Sequence, residues 1–242
     1  MNDNKRKQGP SPREVVFMLV LILLFTFGSC SYVHRGMGKI MTRAGESHSV
    51  SDVDTSVVAD GTLNDLDKLT VNDDPTPPEK YNRVEQFGPA WKDVDHNGCD
   101  TRNDILARDL IVRGMRNSCV VTAGQLADPY SGKWIDFSKK DASKVQIDHV
   151  VALENAWQSG AYKLTQEDRE ALANDPDNLL AVNGHDNMAK GSKSADQWMP
   201  PNADYACTYA SKQVQIKNRY ALTVTTPEKQ ALADALATCP TD

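Results

Sequence analysis

The sequence is short of cysteine, of aromatic residues and of positive charge. It has five cysteines, and no two form a CxxC pair. The compact zinc modules built on such pairs are therefore excluded. HExxH is absent, and His149 has no partner histidine at helical spacing, which removes the usual zinc-peptidase arrangement. Aromatic residues make up 7% of the chain, and none lies between residues 44 and 80. Lys and Arg number 27 against 33 Asp and Glu, a net charge of −6. A broad basic face of the kind that grips duplex DNA is excluded. Any basic track has to be local, and Arg102, Arg108, Arg113, Arg116, Lys190 and Lys193 are its candidates. No internal repeat is visible.

Residues 1–14 are polar and basic, with Lys5, Arg6, Lys7 and Arg13. An apolar run, Val15 to Phe27, follows and continues without charge to Val33. A basic start before an apolar core is the layout of an export signal. The run over 15–33 is close to the ~20 residues that span a bilayer as a helix. An uncleaved membrane anchor is the first expectation, with a cleaved signal peptide or lipidation at Cys30 as the alternatives. Each places the rest of the chain outside the cell. Residues 34–80 look like an acidic linker: from 44 onward nine acidic residues face two basic ones, and the stretch closes on DDPTPPEK. Such a segment buries too little apolar surface to offset chain entropy. It is expected to be disordered, with room for a short helix near Thr62–Leu69.

The folded domain is expected over 81–242. It holds all four tryptophans, expected in the core, and four cysteines: Cys99, Cys119, Cys207 and Cys239. An even set after an export signal implies disulfides. Three pairings are possible; Cys99–Cys119 and Cys207–Cys239 are favoured because each closes a short local loop. A capped helix is expected over 99–113, with Asp100 or Thr101 as the cap. Strands follow near 119–122, 134–137 and 145–151, the first two as a hairpin. Helices are expected over 152–161 and 165–174, a strand at 178–182, a compact helix at 184–191, and two closing helices near 202–219 and 226–238.

Phosphodiester hydrolysis needs a base for water and a cation where charge builds on oxygen. Histidine can be that base near neutral pH, and carboxylate and amide oxygens suit Mg2+ or Mn2+. Asp148-His149, Asn178, Asn187 and Lys190 supply these types. Neighbours on a strand point to opposite faces, so Asp148 and His149 serve one site only if the strand ends there.

Five ordered segments carry a resemblance: YNRVEQFGPAWKDVDHNGCDTRNDIL at 81–106, DHVVALENAW at 148–157, NDPDNLLAV at 174–182, NMAKG at 187–191 and WMPP at 198–201. Together they resemble the HNH endonucleases, and more narrowly exported bacterial proteins of the DUF1524, GmrSD-like type. The resemblance implies an α+β domain with a ββα-metal (His-Me finger) core wrapped by further helices. It implies His149 as general base, Asp148 and Asn187 as ligands of one divalent cation, and Lys190 as a phosphate contact. Asn178 would brace the loop and orient His149. His185 competes with Asn187, whose spacing from Asn178 matches the motif better. The implied substrate is DNA, with RNA as a second candidate, for a monomer held at the membrane or secreted. A tethered binding module that keeps the fold without turnover is the rival reading.

Overall fold

The computed structural model describes residues 61–240; the apolar run at 15–33 and its flanks lie outside the described residues. The chain runs through α1 (Gly61–Lys68), α2 (Arg83–Phe87), α3 (Thr101–Asp109), β1 (Leu110–Arg116), β2 (Val120–Ala127), β3 (Trp134–Ser138) and β4 (Val145–His149). Then come α4 (Leu153–Gln158), α5 (Gln166–Asn174), β5 (Leu179–Asn183), α6 (Gly184–Lys190), α7 (Ala206–Arg219) and α8 (Thr226–Leu236). The domain is thus mixed α+β. Among the described residues, no helix is long and apolar enough to cross a membrane.

Two small antiparallel sheets form the centre. One has the order β1-β2-β3, with the β1–β2 register broken around Gly114. The other is the pair β4–β5, in which Asp148 faces Leu180 and His149 faces Leu179. α3 covers the first sheet: Ile105 and Leu106 pack with Leu110, Val121, Leu126 and Phe137, and the same cluster takes in Val145, Ile147 and Leu179 of the second. A further cluster joins Phe87, Leu153, Trp157, Leu172 and Ile216.

α3 is shorter than its sequence suggests. Asp100 caps it by accepting from Asn103 N, but the helix ends at Asp109, and Leu110–Arg116 extends as β1 instead of completing a helix to 113. The β-branched Ile111 and Val112 gain an antiparallel partner in β2, which outweighs their helical spacing. Trp134, expected in the core, lies on an edge strand and is 40% exposed, whereas Trp157 is buried.

The packed chain also starts earlier than Tyr81. α1 is present, and Leu66 and Leu69 are buried against Val214, Val224 and Leu232. Asn72 N donates to Val224 O, Val224 N to Thr70 O, and Asn218 Nδ2 to Asp65 O. The acidic stretch is therefore not a disordered linker over 61–80. Its apolar residues are few but recur at helical spacing, and α7 and α8 offer them a surface. Disulfides join Cys99 to Cys119 and Cys207 to Cys239. The second ties the start of α7 to the residues just beyond α8.

Candidate functional site

β4 ends where the two catalytic candidates stand. Val145 and Ile147 point into the core, and Asp148 is buried on the opposite face among aromatic rings. Asp148 Oδ2 accepts from Tyr130 Oη at 2.6 Å, and Oδ1 accepts from Lys190 Nζ at 2.9 Å. Burial raises the Asp148 carboxyl above its usual range, opposed by the Lys190 charge and the Tyr130 hydroxyl. Tyr130 is held by its own turn. Asp128, fully buried, accepts from Tyr130 N, Ser131 N and Ser131 Oγ, and from Asn183 N at the end of β5. The DPYSGK segment is legible in sequence as a turn, but nothing there announces that its tyrosine reaches Asp148.

Lys190 closes α6 with its side chain fully buried, donating to Asp148 Oδ1 and to His149 O at 2.8 Å. This corrects the expected role as a phosphate contact, because an enclosed ammonium offers nothing to a phosphodiester. It neutralises Asp148 and ties α6 to the end of β4. Three other expected members of a basic track also have protein partners. Arg108 binds Asp109 and the carbonyls of Pro176 and Leu179, Arg113 donates to Gln125, and Lys193 donates to Ala189 O.

His149 lies partly exposed at the strand end. Its Nε2 is 2.9 Å from Ala173 O, at the end of α5. A carbonyl only accepts, so Nε2 carries the proton and Nδ1 keeps the basic lone pair. Burial pushes the imidazole down to about 4, so it is neutral at physiological pH. Trp91 stacks on the ring, with centroids 6.1 Å apart and planes at 16°. Asn178 is fully buried and braces the turn after His149: it accepts from Val151 N at 2.8 Å, donates to Val151 O, and its main-chain carbonyl accepts from Val150 N. Contrary to the expectation from the sequence, its side chain does not bond the His149 ring; the Ala173 carbonyl does.

Asp148, His149 and Asn187 line one cleft of about 270 Å³, together with Arg83, Glu154 and Ser192. His185 is not on that wall; it is exposed and pairs with Asp186. Asn187 Nδ2 donates to Gln146 Oε1, which leaves its carbonyl oxygen uncommitted. Arg83 escaped sequence reasoning because its helix lies far ahead of the DH pair, and Glu154 because nothing in the sequence shows that the helix directly after β4 turns it back onto the cleft. Arg83 also lies 5.9 Å over the Trp91 ring. Among the described residues, no group of three or more His, Cys, Asp or Glu side chains converges as a metal cage. The donors on the cleft wall are hard oxygens: the carboxylates of Asp148 and Glu154 and the Asn187 amide. They fit a hard divalent cation in kind, although Asp148 already accepts from Tyr130 and Lys190, so an ion there would draw on its remaining lone pairs.

Residues 100–235 match the model of the C-terminal domain of GmrSD restriction endonucleases, which is more than half of the chain. The chain belongs to that family. The matched span runs from the cap of α3 to α8, so it contains the whole β4–β5–α6 unit and every cleft residue except Arg83 and those near it. A relative described as an uncharacterized secreted protein of Arthroderma benhamiae (strain ATCC MYA-4681 / CBS 112371) is 40% identical over 166 residues. That alignment covers 67% of this chain and 78% of the relative. No solved structure matches the chain. Membership of the GmrSD restriction endonuclease family makes this a domain of a nuclease family.

Proposed function

We propose that the chain is an exported nuclease that hydrolyses phosphodiester bonds of DNA, and of RNA as a second substrate, with His149 as the general base. The observation that carries this reading is the state of His149: neutral, its Nε2 engaged by a carbonyl, its ring fixed by Trp91, beside Asp148 and Asn187 on one cleft wall. β4, β5 and α6 then act as a ββα-metal core, in which the long stretch between the strands supplies the carbonyl that fixes the imidazole.

His149 Nδ1 takes a proton from a water molecule as its oxygen attacks phosphorus, and the bond to the leaving oxygen breaks. Arg83, on the cleft wall, offsets phosphate charge. Asn178 keeps the turn behind His149 in register. A divalent cation, Mg2+ or Mn2+, would be held by Asp148 and Asn187 and would stabilise charge on the departing oxygen. Two disulfides and a relative described as secreted support an oxidising, extracellular location. Attachment through residues 15–33 is part of the same proposal.

The test is cleavage of plasmid and of linear DNA by the full oxidised chain with Mg2+ or Mn2+, beside His149→Ala. The variant should retain its melting temperature and lose at least ~100-fold in rate, the lower range of general-base catalysis. A folded wild-type chain that cuts neither DNA nor RNA with either metal would end the nuclease reading.

A further inference from the structure

The loop that leads into α3 takes no part in the reaction above. Residues 93–104 run Asp-Val-Asp-His-Asn-Gly-Cys-Asp-Thr-Arg-Asn-Asp. Counted from Asp93, the side-chain oxygens fall at positions 1, 3 and 5, glycine at 6 and a carboxylate at 12. This is the spacing of the twelve-residue calcium loop, with aspartate in place of the usual glutamate at its end.

The backbone follows the same plan. Gly98 has φ +88°, a conformation that side-chain-bearing residues rarely adopt. Gly98 N donates to Asp93 Oδ2 at 3.0 Å, and Asn97 N donates to Asp95 Oδ1 at 3.1 Å. α3 begins at Thr101, so Asp104 falls in its first turn and faces back over the loop. There the Asn97 amide Nδ2 bridges Asp95 Oδ2 at 3.0 Å and Asp104 Oδ1 at 3.2 Å. The carboxylates are thus joined through one amide rather than converging on a point.

A separate observation concerns Asp93. Its Oδ1 is shielded from solvent and has no hydrogen-bond partner. A buried carboxylate oxygen without a donor is unfavourable unless something positive meets it. The loop concentrates negative charge, and its one arginine, Arg102, donates away from it to Val145 O.

We propose that residues 93–104 bind a calcium ion through Asp93, Asp95, Asn97, the Cys99 carbonyl and Asp104. Binding requires the Asn97 amide to turn its oxygen inward. Calcium is preferred to magnesium because a flexible loop with a main-chain carbonyl among its donors suits a larger ion with variable coordination. The short aspartate at the last position points to weak binding, in the ~0.1–1 mM range of extracellular modules. The site differs from the catalytic cation site and does not depend on the nuclease reading. It bears on the cleft through Trp91: Thr101 Oγ1 donates to Lys92 O, next to the ring that stacks on His149.

Terbium, which substitutes for calcium and is excited through nearby tryptophan, tests this on the full oxidised chain. Tryptophan-sensitised luminescence should appear, be displaced by calcium more readily than by equal magnesium, and persist in His149→Ala and Asp148→Asn. It should be lost in Asp93→Asn/Asp104→Asn and weakened at least tenfold in Asp95→Asn, an exposed position that spares the fold. Calcium should raise the melting temperature of the wild type and not of the double variant. The proposal is overturned if luminescence is absent, if it survives all three loop substitutions, or if Asp148→Asn alone abolishes it. Cleavage without a loop response would leave the nuclease reading standing and remove this one; a loop response without cleavage would do the reverse.

Discussion

His149 gains its chemical character from three neighbours that no local pattern names. Ala173 fixes which nitrogen holds the proton, Trp91 fixes the ring plane, and burial removes the positive form. The shift is downward, to about 4 from 6.5. The base is therefore in its accepting form above roughly pH 4–5. The acid limb of kcat/KM should lie below 6.5, as read from a pH–rate profile of the wild type. The same shift has a stability consequence with a definite sign. Between pH 6.5 and about 4 the unfolded chain binds a proton at His149 that the folded chain does not. Stability should fall across that window more steeply in the wild type than in His149→Asn, by urea unfolding at several pH values. Parallel slopes would contradict the assignment. Asp148 and Lys190 show the limits of residue types read alone. The motif marks both positions, but only the fold reveals that the lysine is enclosed and answers the aspartate rather than a substrate.

At the scale of elements, the strands β2 to β5, the caps and the closing helices are legible in the sequence. Thr165 caps α5 by accepting from Asp168 N, and Thr225, one residue before Thr226-Pro227, caps α8. The β2–β3 hairpin spans the turn-rich segment that announces it. The helix at 99–113 and the linker at 61–80 were misjudged for one reason. In each, a partner outside the segment decided the outcome: β2, the next strand along the chain, for residues 110–116, and the distant α7 with α8 for residues 61–72. The passage from β5 into α6 carries a constraint that sequence does not display. A Cβ on Gly184 would meet the Ser143 carbonyl oxygen at 2.0 Å, so strand and helix join only where the preceding loop can touch bare backbone. Gly184→Ala should therefore cost about 1–3 kcal/mol, the range for overpacking a close contact. An unchanged urea midpoint would mean that the loop at 139–144 yields freely.

For the whole molecule, covalent and ionic ties concentrate at the carboxy-terminal end. Lys217 and Glu228, both buried, pair at 2.9 Å between α7 and α8, and Lys217 also donates to Asn155, Ser159 and Thr223 O. The Cys207–Cys239 bridge closes a loop of 32 residues around them. On chain entropy it should contribute about 3–4 kcal/mol. Cys239→Ser should lower the melting temperature markedly, and reductant should do the same to the wild type. If reductant leaves the melting curve in place, the helical packing alone holds this end together.

The contact between α1 and the last two helices also dictates an order of events during synthesis. Asp65 meets Asn218, and Asp73 meets Thr226, across 153 positions of sequence. Leu66 and Leu69 are made well before the α7 and α8 surface that covers them. Contacts this distant close late, after nearer pairings have formed. A growing chain thus carries two uncovered leucines until α8 is free. A carrier that keeps the nascent chain open would match this topology better than folding that proceeds from the amino end.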